Sequence, residues 1–195
     1  MPLSKPTGRA LLHARDITVR GYRRSDGRFD IEAHLIDTKS YSFPNEDRGE
    51  IPAGEPLHEM WFRVTVDENL VIETSEAATE HGPYAICAAA APNFARLAGL
   101  RIGRGFLRAA AERVGGVAGC THLRELLQQI GTTAIQTLYS ARGDKEETED
   151  AAARAPRMLN SCYAYAADGP VVRRRWPKFY TGADPLRSPS EDGRA

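Results

Sequence analysis

Ser25-Asp26-Gly27-Arg28-Phe29-Asp30-Ile31-Glu32-Ala33-His34-Leu35 decides the fold class of this chain. Asp and Gly at 26 and 27 tolerate the positive φ that a tight hairpin turn requires. Beyond the turn, Phe29, Ile31, Ala33 and Leu35 alternate with Asp30, Glu32 and His34, the period-two pattern of a strand with one buried and one wet face. That strand runs from Arg28 to about Lys39. Before the turn, Arg15 to Arg24 reads as its antiparallel partner, with Ile17 and Val19 on one face.

Outward from the hairpin, residues 40–56 carry Pro44, Gly49, Pro52, Gly54 and Pro56 among charges and read as a long loop. A third strand follows from Leu57 to Asp67. His58, Met60, Phe62, Val64 and Val66 share its inner face, and Glu59, Trp61, Arg63 and Thr65 the other. Asp67-Glu68-Asn69 is a tight turn into a fourth strand, Leu70 to about Thr74. The first half is an antiparallel β-meander.

The second half reads as three helices. Tyr84 to Leu97 places Ile86, Ala90, Phe94 and Leu97 at helical spacing, with Pro92 as a kink. Ile102 to Val114 is the next, framed by Gly99 and by Gly115-Gly116, and Gly99 to Gly105 is an interhelical connection. The third has the clearest stripe: Leu123, Leu126, Leu127, Ile130, Ala134 and Leu138, with Thr121 as N-cap. Residues 141–157 are charged and Ala-rich, a solvated linker or frayed helix. Ser161 to Ala167 and Val171 to Trp176 read as a C-terminal β-hairpin. The expected fold is therefore α+β: the meander, three helices packed on one face, and the added hairpin. It occupies one domain over residues 15–180, with flexible tails at 1–14 and 181–195.

The 195 residues carry 26 Lys+Arg and 26 Asp+Glu, a net charge of zero, so no global field favours nucleic acid or an anionic membrane. Arg173-Arg174-Arg175-Trp176 reads as half of a solvated strand face rather than a phosphate patch. No apolar run approaches the ~20 residues of a membrane span, and the first residues lack a signal-peptide core. Cytoplasmic location is the default. Three cysteines at wide spacing argue against a disulfide framework.

Candidate chemistry sits where soft ligands meet element edges. His58 opens its strand after a Gly-Pro loop, on the apolar face, where a satisfied core histidine is the alternative. Cys87 opens a run of small residues whose plain reading is tight packing. Cys120 stands at the start of the best helix, where the helix dipole favours a thiolate, and His122 is two residues on. Plainly read, these are a buried small residue and a first-turn residue. His34 and Asp37 point to opposite faces and do not form one site. His13 and His81 receive no role, and Cys162 is placed in the core. No nucleotide-binding glycine loop, nucleophile elbow or His-Glu-x-x-His motif is present.

Two resemblances follow from these segments. Residues 54–140, with the Gly-Pro loop, the Val66-to-Glu73 turn and the later Cys-bearing helices, resemble the iron–sulfur cluster assembly scaffolds of the NifU/IscU-like fold. His58, Cys87 and Cys120 fall at the places of that family's three cysteines. The whole chain also resembles a bacterial family, domain of unknown function 2889, through Val19-Arg20-Gly21-Tyr22-Arg23-Arg24, Leu57-His58-Glu59-Met60-Trp61 and Gly119-Cys120-Thr121-His122-Leu123-Arg124-Glu125-Leu126.

The expected function is metal binding, by zinc or an iron–sulfur cluster, through His58, Cys87, Cys120 and His122. One alternative is a lyase or hydrolase of a small organic or aromatic substrate. A metal-bound water, or Cys120 as nucleophile with His122 as acid–base, would act there. The other is a metal-free interaction module. The expected partners are a metal ion and a small-molecule substrate, not nucleic acid or membrane, and the oligomeric state is open.

Overall fold

The computed structural model describes residues 3–142 and 158–182. The chain falls into two compact units, Met1–Ala141 and Arg142–Ala195, where one domain over 15–180 is expected. Most of the 141–157 linker and of the 181–195 tail lies outside the described residues.

Six strands make up the β part of the first unit: β1 (His13–Arg23), β2 (Phe29–Lys39), β3 (Phe43–Asn45), β4 (Gly49–Ile51), β5 (Pro56–Val66) and β6 (Ile72–His81). β1, β2, β5 and β6 form an antiparallel sheet in that order. The meander is thus as expected, and the 40–56 loop carries a small hairpin of its own, β3–β4. The alternation sets which face is buried. Phe29, Ile31, Ala33 and Leu35 of β2 and Met60, Phe62, Val64 and Val66 of β5 are all at most 6% exposed.

Asp67 shapes the turn between β5 and β6. Its Oδ1 accepts from the amides of Asn69 and Val71, both at 2.8 Å. Leu70 takes a left-handed φ of 63° and turns its side chain into the core. β6 is longer than the expected fourth strand. Its start is covered by Leu100 and Gly99, whose backbone groups bond both sides of Ile72.

A helical layer covers the inner face. Ala85–Leu97 is a 3-10 helix, long for that type. Its buried residues are Ala91, Phe94 and Leu97, spaced by three, the period of a 3-10 rather than an α-helix. The expected α-helical face is therefore corrected: Ile86 is 75% exposed. Phe94 meets Phe62 of β5 edge-on at 5.3 Å. α1 spans Phe106–Val114 and α2 Thr121–Arg142. Each of the six stripe residues of α2 is buried. The N-cap of α2 is Cys120, not Thr121, because the Cys120 carbonyl accepts from the Arg124 amide at 3.0 Å. α2 lies close on β1: a Cβ at Gly21 would stand 1.8 Å from the Thr137 Oγ1.

The second unit corrects the expected C-terminal hairpin. Residues 163–165 form a 3-10 turn and Pro170–Arg175 a short helix, α3. Pro170 occupies its first turn, where a fixed φ and a missing N–H suit a helix start. The branched pair Val171-Val172 has strand propensity, but tertiary burial of Val172 (0% exposed) decides there. Cys162 is exposed rather than in the core.

Candidate metal centre

The register of three strands builds the site. Arg15 of β1, Asp37 of β2 and His58 of β5 are direct cross-strand partners in one row on the inner face. That row lies just beyond the apolar row of Ile17, Leu35 and Met60, at the open end of the core. Beside it the β2–β5 ladder shifts register, between Asp37 and Thr38. Such irregularities re-aim side chains at sheet ends. The first turn of α2 brings His122 over the row from the helical layer.

Asp37 is the hub and is 1% exposed. Arg15 donates Nε to its Oδ1 and Nη2 to its Oδ2, both at 2.7 Å. The His58 Nδ1 lies 3.0 Å from Oδ2. With the carboxylate ionised and able only to accept, Nδ1 carries the proton and Nε2 the lone pair. The Nε2 atom of His13 lies 3.4 Å from Oδ1, and that of His122 4.0 Å from Oδ2. The His58 and His122 rings are 3.8 Å apart, tilted by 34°. On its other side, His122 Nδ1 is 3.9 Å from the Cys120 Sγ. Arg15 also pairs with Glu125, one turn along α2.

The electrostatics follow from burial and this packing. Burial alone would raise the Asp37 pKa, but the Arg15 hydrogen bonds and charge, then His58 and His13, hold it below the usual carboxylate value. His58 is lowered by burial first and then by the neighbouring His122, against the pull of Asp37. His122 is lowered by burial and by Arg15. At neutral pH the site therefore presents one carboxylate and two neutral imidazoles, the protonation states a divalent metal needs.

One ligand atom each from Asp37, His58 and His122 lies within 4.8 Å of the others. Metal bonds of about 2.0–2.2 Å hold ligand atoms roughly 3.3 Å apart. The Asp37 Oδ2 to His122 Nε2 separation is 4.0 Å, while the 3.0 Å to the His58 Nδ1 is the hydrogen bond of its N–H, which leaves Nε2 as the ligand atom of that ring.

Of the residues singled out in the sequence, His58 and His122 thus meet. Cys120 stands beside His122 without joining the group. Cys87 packs instead against Gly82, whose added Cβ would lie 2.8 Å from its own, and lines a separate cavity of about 170 Å³ with Asp47 and Thr79. Among the described residues no cysteine cluster forms, so the iron–sulfur expectation has no thiolate set to rest on. The sequence reading weighs Asp37 only against His34 and gives it no site, although it sits at the buried parity of Phe29, Ile31, Ala33 and Leu35. A carboxylate on an apolar strand face was the available signal. His13, given no role, shares the face of Arg15, Ile17 and Val19.

The family DUF2889, described as a protein of unknown function, matches residues 13–136, a span that holds every residue of this cluster. No curated protein matches the chain, and no solved structure matches it. The likeness of residues 54–140 to cluster scaffolds therefore finds no support among solved structures. Among the described residues, no helix is long and apolar enough to cross a membrane.

Proposed function

The chain belongs to the DUF2889 family, and from its buried cluster we propose that it is a metal-binding protein with a mononuclear centre held by Asp37, His58 and His122. The observation that carries this reading is the convergence of one carboxylate and two neutral histidines, from β2, β5 and α2, within 4.8 Å. A nitrogen-rich donor set with one oxygen suits zinc. Three protein ligands leave a coordination position open, the arrangement of a catalytic rather than a structural zinc site. Arg15 orients the carboxylate through its two hydrogen bonds, and the Cys120 Sγ lies 3.9 Å from the His122 Nδ1. A bound metal would supply Lewis-acid polarisation of a small substrate there.

A second reading rests on a different contact. The Cys120 Sγ, the His122 ring and Asp37 form a chain, with steps of 3.9 and 4.0 Å. In a hydrolase of a small substrate, His122 would take the Cys120 proton and Asp37 would steady the resulting imidazolium.

Elemental analysis of untagged protein, followed by calorimetric zinc titration, tests the first reading. We expect one zinc per chain, with affinity falling more than about 100-fold in His58→Ala, His122→Ala and Asp37→Ala. Arg15→Lys should weaken binding by about 10–100-fold, the range for a residue that orients a ligand. A wild-type chain that takes up no zinc, or variants that bind it unchanged, would reject the centre. A Cys120→Ser chain that keeps its zinc but loses an esterase activity of the wild type would favour the second reading.

A further inference from the structure

We propose that β1 is the seam of a homodimer, in which β1 of one chain pairs antiparallel with β1 of a second copy about a two-fold axis through Thr18. β1 is an edge strand of eleven residues, most of them exposed, and no described strand pairs with its outer side. The other edge of the sheet is treated differently, since the segment around Gly99 and Leu100 caps the start of β6. A long, bare edge strand is a template for pairing unless something blocks it. β1 contains no proline and no bulge in its ladder with β2.

The side chains of β1 select a second copy as the occupant and fix the register. Directly opposed residues of an antiparallel pair lie on one face, so the axis must pass through a residue. An axis through Thr18 sets Asp16 against the partner's Arg20 on the outer face, and does so twice by symmetry. Neither Asp16 nor Arg20 has a charged partner among the described residues, and Glu32, opposite Arg20 on β2, is bonded by Arg63. The same axis sets Ile17 against the partner's Val19 on the inner face, joining two half-buried residues that otherwise line an open groove of about 590 Å³ beside α2. An axis through Val19 would oppose Arg15 with Arg23, and one through Ile17 would leave Asp16 facing Thr18. Thr18 alone of the three gives charge complementarity without like-charge contact.

The helices leave room for this pairing. α2 starts above Asp37 and His58, on β2 and β5, and by Thr137 lies over Gly21 of β1. It therefore crosses the sheet obliquely. Across the two-fold axis, each end of α2 stands about two strand spacings, or ~10 Å, from the partner's α2. Packed helices lie about 8–10 Å apart. The pairing also sets the partner's Arg23 opposite His13, at the margin of the metal cluster, so the site borders the dimer seam.

Sedimentation velocity on the full chain, with charge-swap variants, is the test. The wild type should sediment as a dimer. Asp16→Arg and Arg20→Asp, both on exposed positions, should each weaken dimerisation by about tenfold or more. The double variant, which restores the opposite-charge contact with the signs exchanged, should dimerise again. Circular dichroism confirms that each variant is folded. A wild type that stays monomeric at about 100 µM would overturn the proposal. So would a dimer indifferent to both single changes, or a double variant that fails to recover. Capture of an extended peptide along β1 by a monomeric chain would overturn it in favour of strand addition by another partner.

Discussion

Arg15 and Asp37 face each other across the β1–β2 pair and are joined by two parallel hydrogen bonds of 2.7 Å. The Asp37 side chain is 1% exposed and that of Arg15 30% exposed, so the charge that needs compensation is Asp37. Without Arg15, burial would favour the neutral acid. With it, the carboxylate stays ionised and can hold the His58 Nδ1–H.

Replacing Arg15 by Met keeps much of the side-chain volume and removes the partner. We expect a loss of about 3 kcal/mol in urea unfolding at pH 7, the low end for breaking a buried pair because Arg15 is partly solvated. Asp37→Asn in the Arg15→Met background should recover part of that loss, since no buried charge remains. A loss below about 0.5 kcal/mol in Arg15→Met would place the pair among ordinary surface contacts.

Stability should fall on acidification in two stages. The pKa values of His58 and His122 are lowered in the folded chain, so below about pH 6.5 the unfolded chain takes up protons there first and gains on the folded one. Asp37 is lowered too, so its contribution is complete above about pH 3.9 and is lost as pH falls through its folded value. Unfolding free energies measured from pH 8 to 3 should trace both limbs. The first should flatten in His58→Gln/His122→Gln and the second in Asp37→Asn. Stability that rises between pH 7 and 5 would contradict the assignment.

Gly21 is there because α2 leaves no room for a side chain. A Cβ would stand 1.8 Å from Thr137 Oγ1 and 2.9 Å from Thr137 Cβ. Gly21→Ala should cost about 1–3 kcal/mol, the usual toll of overpacking. Adding Thr137→Ala should return only part of it, because the Cβ contact remains. Thermal unfolding of the three variants would decide this.

Thiol labelling should follow exposure. Cys162 is exposed, whereas Cys87 and Cys120 are half-buried. A bulky maleimide should modify Cys162 first in the folded chain, and all three alike in urea. Mass spectrometry of digests at timed intervals gives the order. Faster labelling of Cys87 would mean that its packing against Gly82 opens readily.

The meander was legible in the residues themselves. Alternation in β2 and β5 and the Asp26-Gly27 turn are local signals, and burial at one face follows from period two. The stripe of α2 was equally plain, since six apolar residues at helical spacing admit one orientation. Elements with mixed or short patterns were not legible. The 3-10 packing of Ala85–Leu97 and the helix at Pro170–Arg175 depend on which residues tertiary packing buries, each within its own unit.

For the site, His58 and His122 could be picked out as chemistry-bearing residues, but their company could not. Asp37 reaches them only because the strand register lays Arg15, Asp37 and His58 in one row, and because α2 crosses the sheet so that its first turn ends above that row. Sequence alone determined the parity that sends Asp37 inward. Register and helix placement, set by long-range packing of residues up to 107 positions from His122 (Arg15), decided that a buried carboxylate, an arginine and two neutral histidines share one low-dielectric end of the core.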